Sequence, residues 1–76
     1  MAQSQYRDQE YLVKLGNHIK AIREKKGLSQ EDLAELCDVD TRQIGRIERA
    51  ETNSTISILK KIADKLNINI SQLLDF

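Results

Sequence analysis

The sequence contains no proline and no tryptophan, one cysteine, three glycines and three aromatic residues, and its 12 Lys+Arg are matched by 12 Asp+Glu. Each scarcity narrows the field. A lone thiol, Cys37, closes no internal disulfide, so the fold does not depend on an oxidising compartment. One histidine and one cysteine form no cluster with metal-ligand spacing, and no glycine-rich phosphate loop occurs, so neither a metal nor a nucleotide cofactor is expected. Three aromatics argue against a stacking platform or an aromatic-lined ligand cage, and no small-molecule ligand is evident. No run approaches the ~18 apolar residues of a membrane span. The opening MAQSQYRDQEY lacks the apolar core of a secretory signal, so a soluble, cytoplasmic protein without a membrane partner is expected. Catalysis has almost nothing to build on, and an enzyme is the least favoured class. Zero net charge, taken alone, speaks against a partner as acidic as nucleic acid.

What the sequence does contain is aliphatic periodicity. Leu, Ile, Val and Phe make up 21 of 76 residues, enough for one small core and too few for a second domain. Apolar residues recur at spacings of three and four throughout, the period of helices, so an all-α chain of five helices is expected. Leu12, Leu15, Ile19 and Ile22 form the stripe of a first helix, which closes near Lys26 because Gly27 suits a left-handed terminal turn. Residues 1–10 are read as a polar extension that either frays or lengthens this helix, and 11–76 as the single domain. Ser29, with Asp32 three residues on, caps a short second helix carrying Leu33, Ala34, Leu36 and Cys37. Asp40 with Gln43 repeats the pattern for a third helix from Thr41. Thr55 caps a fourth with Ile56, Leu59, Ile62, Ala63 and Leu66 inward, and Asn69 with Gln72 caps a fifth bearing Ile70, Leu73 and Leu74.

The third helix is where the charges become informative. At about 100° per residue, Ile44 and Ile47 fall on one side while Arg42, Gly45, Arg46 and Arg49 fall on the other, with Thr41 at the edge. Such a stripe is either a solvated face or a surface for an anion, and the helix N-terminus adds its own attraction for phosphate. The residue types suit a DNA groove: arginine forks to guanine N7 and O6, glutamine pairs with adenine, and a threonine methyl packs on thymine. Gly45 costs the helix roughly 1 kcal/mol relative to alanine. That cost reflects either a close approach of the backbone to a ligand or tolerance at an exposed position.

The segment GLSQEDLAELCDVDTRQIGRIERAE, residues 27–51, resembles the helix-turn-helix of the phage repressor and Cro (XRE-type) family. From LGNHIKAIREKKGLSQ to ILKKIADKLNINISQLL the likeness extends over residues 15–74, about four fifths of the chain. It implies a five-helix, lambda-repressor-like DNA-binding domain whose recognition helix, 41–49, enters the major groove. Thr41, Arg42, Gln43 and Arg46 match the family's base-reading positions. Gln30, Arg49 and Asn53 match phosphate-contacting ones, Gln30 also steadying the start of the recognition helix. Arg23 and Glu48 match an ion pair tying the first helix to the recognition helix. The pattern is departed from at Asp38 and Ala50, where the family usually has glycine, and at Ser54, a frequent proline. Asp38 must take a left-handed conformation for the turn to persist.

The remaining residues have plainer readings. Cys37 is a small core residue rather than a redox switch, His18 a surface residue of the first helix, and Lys60, Lys61 and Lys65 a solvated face. Glu31, Asp32 and Glu35 should point away from a duplex. Ile68, Ile70, Leu73, Leu74 and Phe76 crowd the C-terminal end, either closing the monomer's core or offering a self-association surface that Tyr6 and Tyr11 would join. The resulting expectation is a transcriptional regulator bound as a homodimer to a palindromic operator in double-stranded DNA. A restriction-modification controller and a small phage-type repressor fit equally, and the rival class is a protein-interaction module of the same fold that has lost DNA binding.

Overall fold

A side-chain oxygen stands at the start of every helix in the computed structural model, which describes residues 6–76. The elements are α1 (Gln9–Lys25), α2 (Gln30–Cys37), α3 (Thr41–Glu48), α4 (Ile56–Lys65) and α5 (Ile70–Leu73), with no strand among the described residues. Asp8 caps α1 through the Tyr11 amide at 3.1 Å, so the polar N-terminal stretch supplies a cap and the first helical residues, while residues 1–5 lie outside the described residues. Ser29 and Asp32 form a reciprocal capping box at α2, as do Asn69 and Gln72 at α5, and Thr55 caps α4. The expected Asp40–Gln43 box does not form. Asp40 instead accepts the Arg42 amide at 2.8 Å and the Arg42 guanidinium at 3.3 Å, so its carboxylate is turned to Arg42 and not to the Gln43 amide that the box requires.

The first four helices all end alike. At Gly27, Asp38, Ala50 and Asn67 the backbone turns left-handed, with φ of 74°, 57°, 59° and 61°. In each case that residue's amide and the next bond back to helical carbonyls, as in Ala50 N to Ile47 O at 3.1 Å and Glu51 N to Arg46 O at 2.8 Å. The turn between α2 and α3 thus persists with Asp38 in the glycine position. Ala50 adopts the same geometry, so the chain leaves α3 as a glycine would have let it. At Ser54, where proline is frequent, the hydroxyl is buried without a hydrogen-bond partner.

Inward-facing side chains of all five helices make one core, with Ile19, Leu33, Ile44, Ile62, Leu66 and Leu73 fully buried. Cys37 belongs to it, and burial pushes its thiol pKa up against the weaker opposing pull of Lys61 and Lys65. One side chain expected inward is not: Ile56 is 65% exposed because it opens α4 beyond the core. Leu36 on α2 is 45% exposed, one residue round the helix from buried Cys37. Leu73, expected among the self-association residues, is wholly buried and has no surface to offer a partner.

The packing of α1 on α3 decides how the outer face of α3 is presented. It depends on Gly16, since a Cβ there would come within 2.7 Å of the Ile47 carbonyl oxygen and closer still to that of Glu48. Only a residue without a side chain lets the two backbones meet this way.

Candidate nucleic-acid interface

Ile44 and Ile47 anchor α3 in the core and thereby turn Arg42, Gln43 and Arg46 outward, with Thr41 half-buried at the edge. Asp40, Arg42, Gln43, Arg46 and Thr52 line a shallow depression on this face. Thr52, from the turn after α3, is the member the sequence did not single out. Arg42 is the most exposed of the arginines in ion pairs, its side chain 81% accessible, yet its guanidinium rests against Asp40. The hydrogen bond from Arg42 holds the Asp40 carboxyl below the ordinary carboxylate range, and the same contact raises the arginine. Gln43, freed from capping, makes no side-chain hydrogen bond among the described residues.

The exposed stripe on α3 is narrower than the sequence implies. Gly45 is buried, because Arg49 folds back over it: a Cβ at Gly45 would sit 2.8 Å from Arg49 Nη1. The close approach at this glycine is therefore made by the chain's own guanidinium, which is neither of the two readings the sequence left open. Arg49 caps the helix after Glu48 and pairs with Glu51 at 2.8 Å, so its side chain runs along the protein surface rather than outward with Arg42 and Arg46.

Behind this face lies a buried polar knot. Arg23 Nε and Nη2 donate to the two oxygens of Glu48 at 2.7 and 3.0 Å, and Nη1 donates to the Leu28 carbonyl at 2.7 Å. Only 7% of the Arg23 side chain and 2% of that of Glu48 remain accessible. Hydrogen bonding to Glu48 raises the Arg23 pKa against the opposing effect of burial. Gln30 Nε2 completes the knot by donating to Glu48 Oε1 at 3.0 Å. Gln30 thus braces the end of α3, whereas the resemblance assigned it to the start. One carboxylate collects donors from α1 and α2, fixing both to α3.

Asn53 faces the N-terminal segment, its amide donating to the Tyr6 carbonyl at 3.0 Å. Beside it, Arg7 Nη2 and Gln9 Nε2 both donate to the Ala50 carbonyl. Nothing in the sequence signalled this long-range contact. Gly16 did leave a signal, a costly glycine inside an otherwise regular helical stripe.

Around α5, Ile68, Ile70 and Leu74 are half-buried against the core. Phe76 is 43% exposed and packs its ring 4.9 Å from that of Tyr11 and 5.5 Å from that of His18. His18 Nε2 lies 2.9 Å from the Gln72 carbonyl. Among the described residues no group of His, Cys, Asp or Glu is placed to hold a metal ion, and no helix is long and apolar enough to cross a membrane.

This architecture has known counterparts. The helix-turn-helix family model HTH_3 matches residues 19–73. The chain is 38% identical over 60 residues to control protein C.SmaI of Serratia marcescens, across 79% of this chain and 71% of that protein. It is 37% identical over 62 residues to the HTH-type transcriptional regulator SinR of Bacillus subtilis, across 80% of this chain and 56% of SinR. Among solved structures, the restriction-modification controller protein C.AhdI from Aeromonas hydrophila superposes with a TM-score of 0.80 at 39% identity, covering 82% of this chain and 94% of that one. SinR in complex with DNA superposes with a TM-score of 0.74 at 37% identity, covering 80% and 98%. The chain therefore belongs to the XRE-type helix-turn-helix family, HTH_3, of DNA-binding transcription regulators.

Proposed function

We propose that the chain regulates transcription as a homodimer on a palindromic operator, each α3 lying in the major groove of one half-site. The observation that carries this reading is the outer face of α3, where Arg42, Gln43 and Arg46 project from a helix held by Ile44, Ile47 and the Arg23–Glu48–Gln30 knot. Among the described residues Gln43 and Arg46 have no side-chain partner to surrender before meeting a base edge, and Arg42 has only an exposed one. Rigid support behind a reading surface is what direct readout requires, because bidentate pairing tolerates little error in placement. The solved DNA complex of SinR supports the same assignment. Thr41, Arg42, Gln43 and Arg46 are the base-reading residues on this account, and Gln30, Arg49 and Asn53 hold the phosphate backbone.

A domain this small gains from further apolar burial, and a second copy supplies it. Tyr11, Ile68, Ile70, Leu74 and Phe76 form the candidate face. Two-fold symmetry then places the half-sites about 34 Å apart, one turn of DNA. Regulation proceeds by occupancy: the dimer blocks or assists polymerase through its position, with no chemistry performed, in the compartment that holds the DNA, the cytoplasm.

The neutral net charge, together with the carboxylates beside Arg42 and Arg49, favours one second reading, an interaction module that no longer binds DNA. A salt titration separates the two. A dimer making about eight phosphate contacts should lose affinity with a log–log slope near −7. Absence of duplex binding even at low salt would decide for the interaction module.

A further inference from the structure

The N-terminal segment preceding α1 reaches the turn that follows the recognition helix, and it brings a cation there. Arg7 is one of five arginines in the chain. Arg23, Arg42 and Arg49 each rest against a carboxylate, at 2.7, 3.3 and 2.8 Å. Among the described residues, no carboxylate lies within 4 Å of the guanidinium of Arg7 or of Arg46. Arg46 belongs to the reading face already described. Arg7 does not, yet it is held firmly: Nε donates to Gln9 Oε1 at 2.7 Å and Nη2 donates to the Ala50 carbonyl.

Both of its acceptors are neutral, so the guanidinium is oriented without being discharged. Capping the chain after α3 does not require that charge, since Gln9 Nε2 already satisfies the same Ala50 carbonyl at 3.0 Å. Of the five N–H donors on the fork, one is spent on Gln9 and one on Ala50, and the other three, the Nη1 pair among them, meet no acceptor among the described residues. The neighbours are the groups assigned to phosphate. Asn53 is bonded to the carbonyl of Tyr6, adjacent to Arg7 in the chain. Ala50 lines a groove together with Asn17, Lys20, Gln30, Arg49 and Glu48, whose carboxylate is already taken up by Arg23 and Gln30. A pre-oriented guanidinium that no described carboxylate neutralises, with its Nη1 donors open beside such a groove, suits a phosphate oxygen.

We infer that Arg7 is a further DNA-phosphate contact, set in place by Gln9 and the Ala50 carbonyl, so that the segment before α1 extends the backbone-binding surface of the helix-turn-helix. This rests on the DNA-binding reading above, and the experiment keeps the two apart. Binding of the full chain, of Arg7→Gln and of Arg7→Lys to a duplex recovered by selection from a random pool is followed by fluorescence anisotropy across a range of salt, with thermal melts confirming that each variant is folded. Glutamine keeps a neutral donor for Ala50 and removes the charge, while lysine keeps the charge.

The expected result is a slope shallower by about 0.9, one phosphate's worth, for Arg7→Gln, a slope near wild type for Arg7→Lys, and the same base preference in all three. An unchanged slope in a folded Arg7→Gln overturns the inference, even if affinity falls, because Arg7 would then only position the turn. A slope lost equally in Arg7→Lys overturns it as well. Failure of the unaltered chain to bind any duplex instead removes the DNA-binding reading itself.

Discussion

Asp40 has two roles at once, capping α3 through the Arg42 amide and holding the Arg42 guanidinium through the same carboxylate. The second role restrains the residue best suited to read guanine. Asparagine caps as well as aspartate but carries no charge. Asp40→Asn should therefore leave the fold intact, tighten binding to unselected duplexes and steepen the salt slope by up to about 1. Unchanged non-specific binding would show that the pair does not restrain Arg42. The pH dependence has a definite sign. Because the Arg42 hydrogen bond lowers the folded-state pKa of Asp40, its stabilising effect is fully present above the ordinary carboxylate pKa and is lost as pH falls through the lowered value. At neutral pH the pair is intact. Arg42→Ala is expected to weaken operator binding roughly ten- to hundredfold and relax discrimination at one base pair. An equal loss on every sequence would mean that Arg42 touches only phosphate. At this scale the sequence was legible in residue type but not in side-chain path. Arg49 looks like a third outward arginine by angle alone, and only its folding onto Gly45 and Glu51 shows otherwise.

Between elements, the recognition helix is fixed by one carboxylate and one glycine. Glu48 draws Arg23 from α1 and Gln30 from α2 into a site almost without solvent. Removing one member leaves the other charge buried and unpaired, so Arg23→Ala should cost about 3–5 kcal/mol in denaturant unfolding. That is a large share of a total near 5–10 kcal/mol for a domain of this kind. The double replacement Arg23→Met with Glu48→Leu should cost less than Arg23→Ala, since it strands no charge. Gly16→Ala forces a methyl against backbone carbonyls that have no flexible end to yield. It should destabilise by about 2–3 kcal/mol and weaken DNA binding as α3 shifts relative to α1. Wild-type stability in that variant would show that the helices separate at little cost. The caps at Ser29, Thr55 and Asn69 were readable because N-capping is local chemistry over three or four residues. The Asp40–Gln43 box misled because Arg42 draws the Asp40 carboxylate away from the Gln43 amide that the box requires. The tie from Arg7 and Gln9 to Ala50 spans more than 40 residues of sequence, and no local pattern encodes it.

At the scale of the whole molecule, zero net charge describes an average that the arrangement overrides. Arg7 and Arg46 stay unpaired by carboxylate near the proposed DNA surface, while several other cations are matched by acids beside them. Weak general attraction for DNA follows, with useful affinity coming from two half-sites read together and from correct base contacts. The five-helix fold and its helix-turn-helix were legible because periodicity and caps repeat along nearly the whole chain. The self-association surface was less so. Leu73 looks the same in sequence as Leu74, yet the first is core and the second half-exposed, a distinction set by where α5 meets α4 and α1. Selection of bound sites from a pool of random duplexes, using the full chain at low salt, tests the central claim most directly. The account predicts an enriched two-fold-symmetric consensus whose half-site centres lie about 34 Å apart. Recovery of no enriched sequence, or of a single asymmetric element, would contradict it.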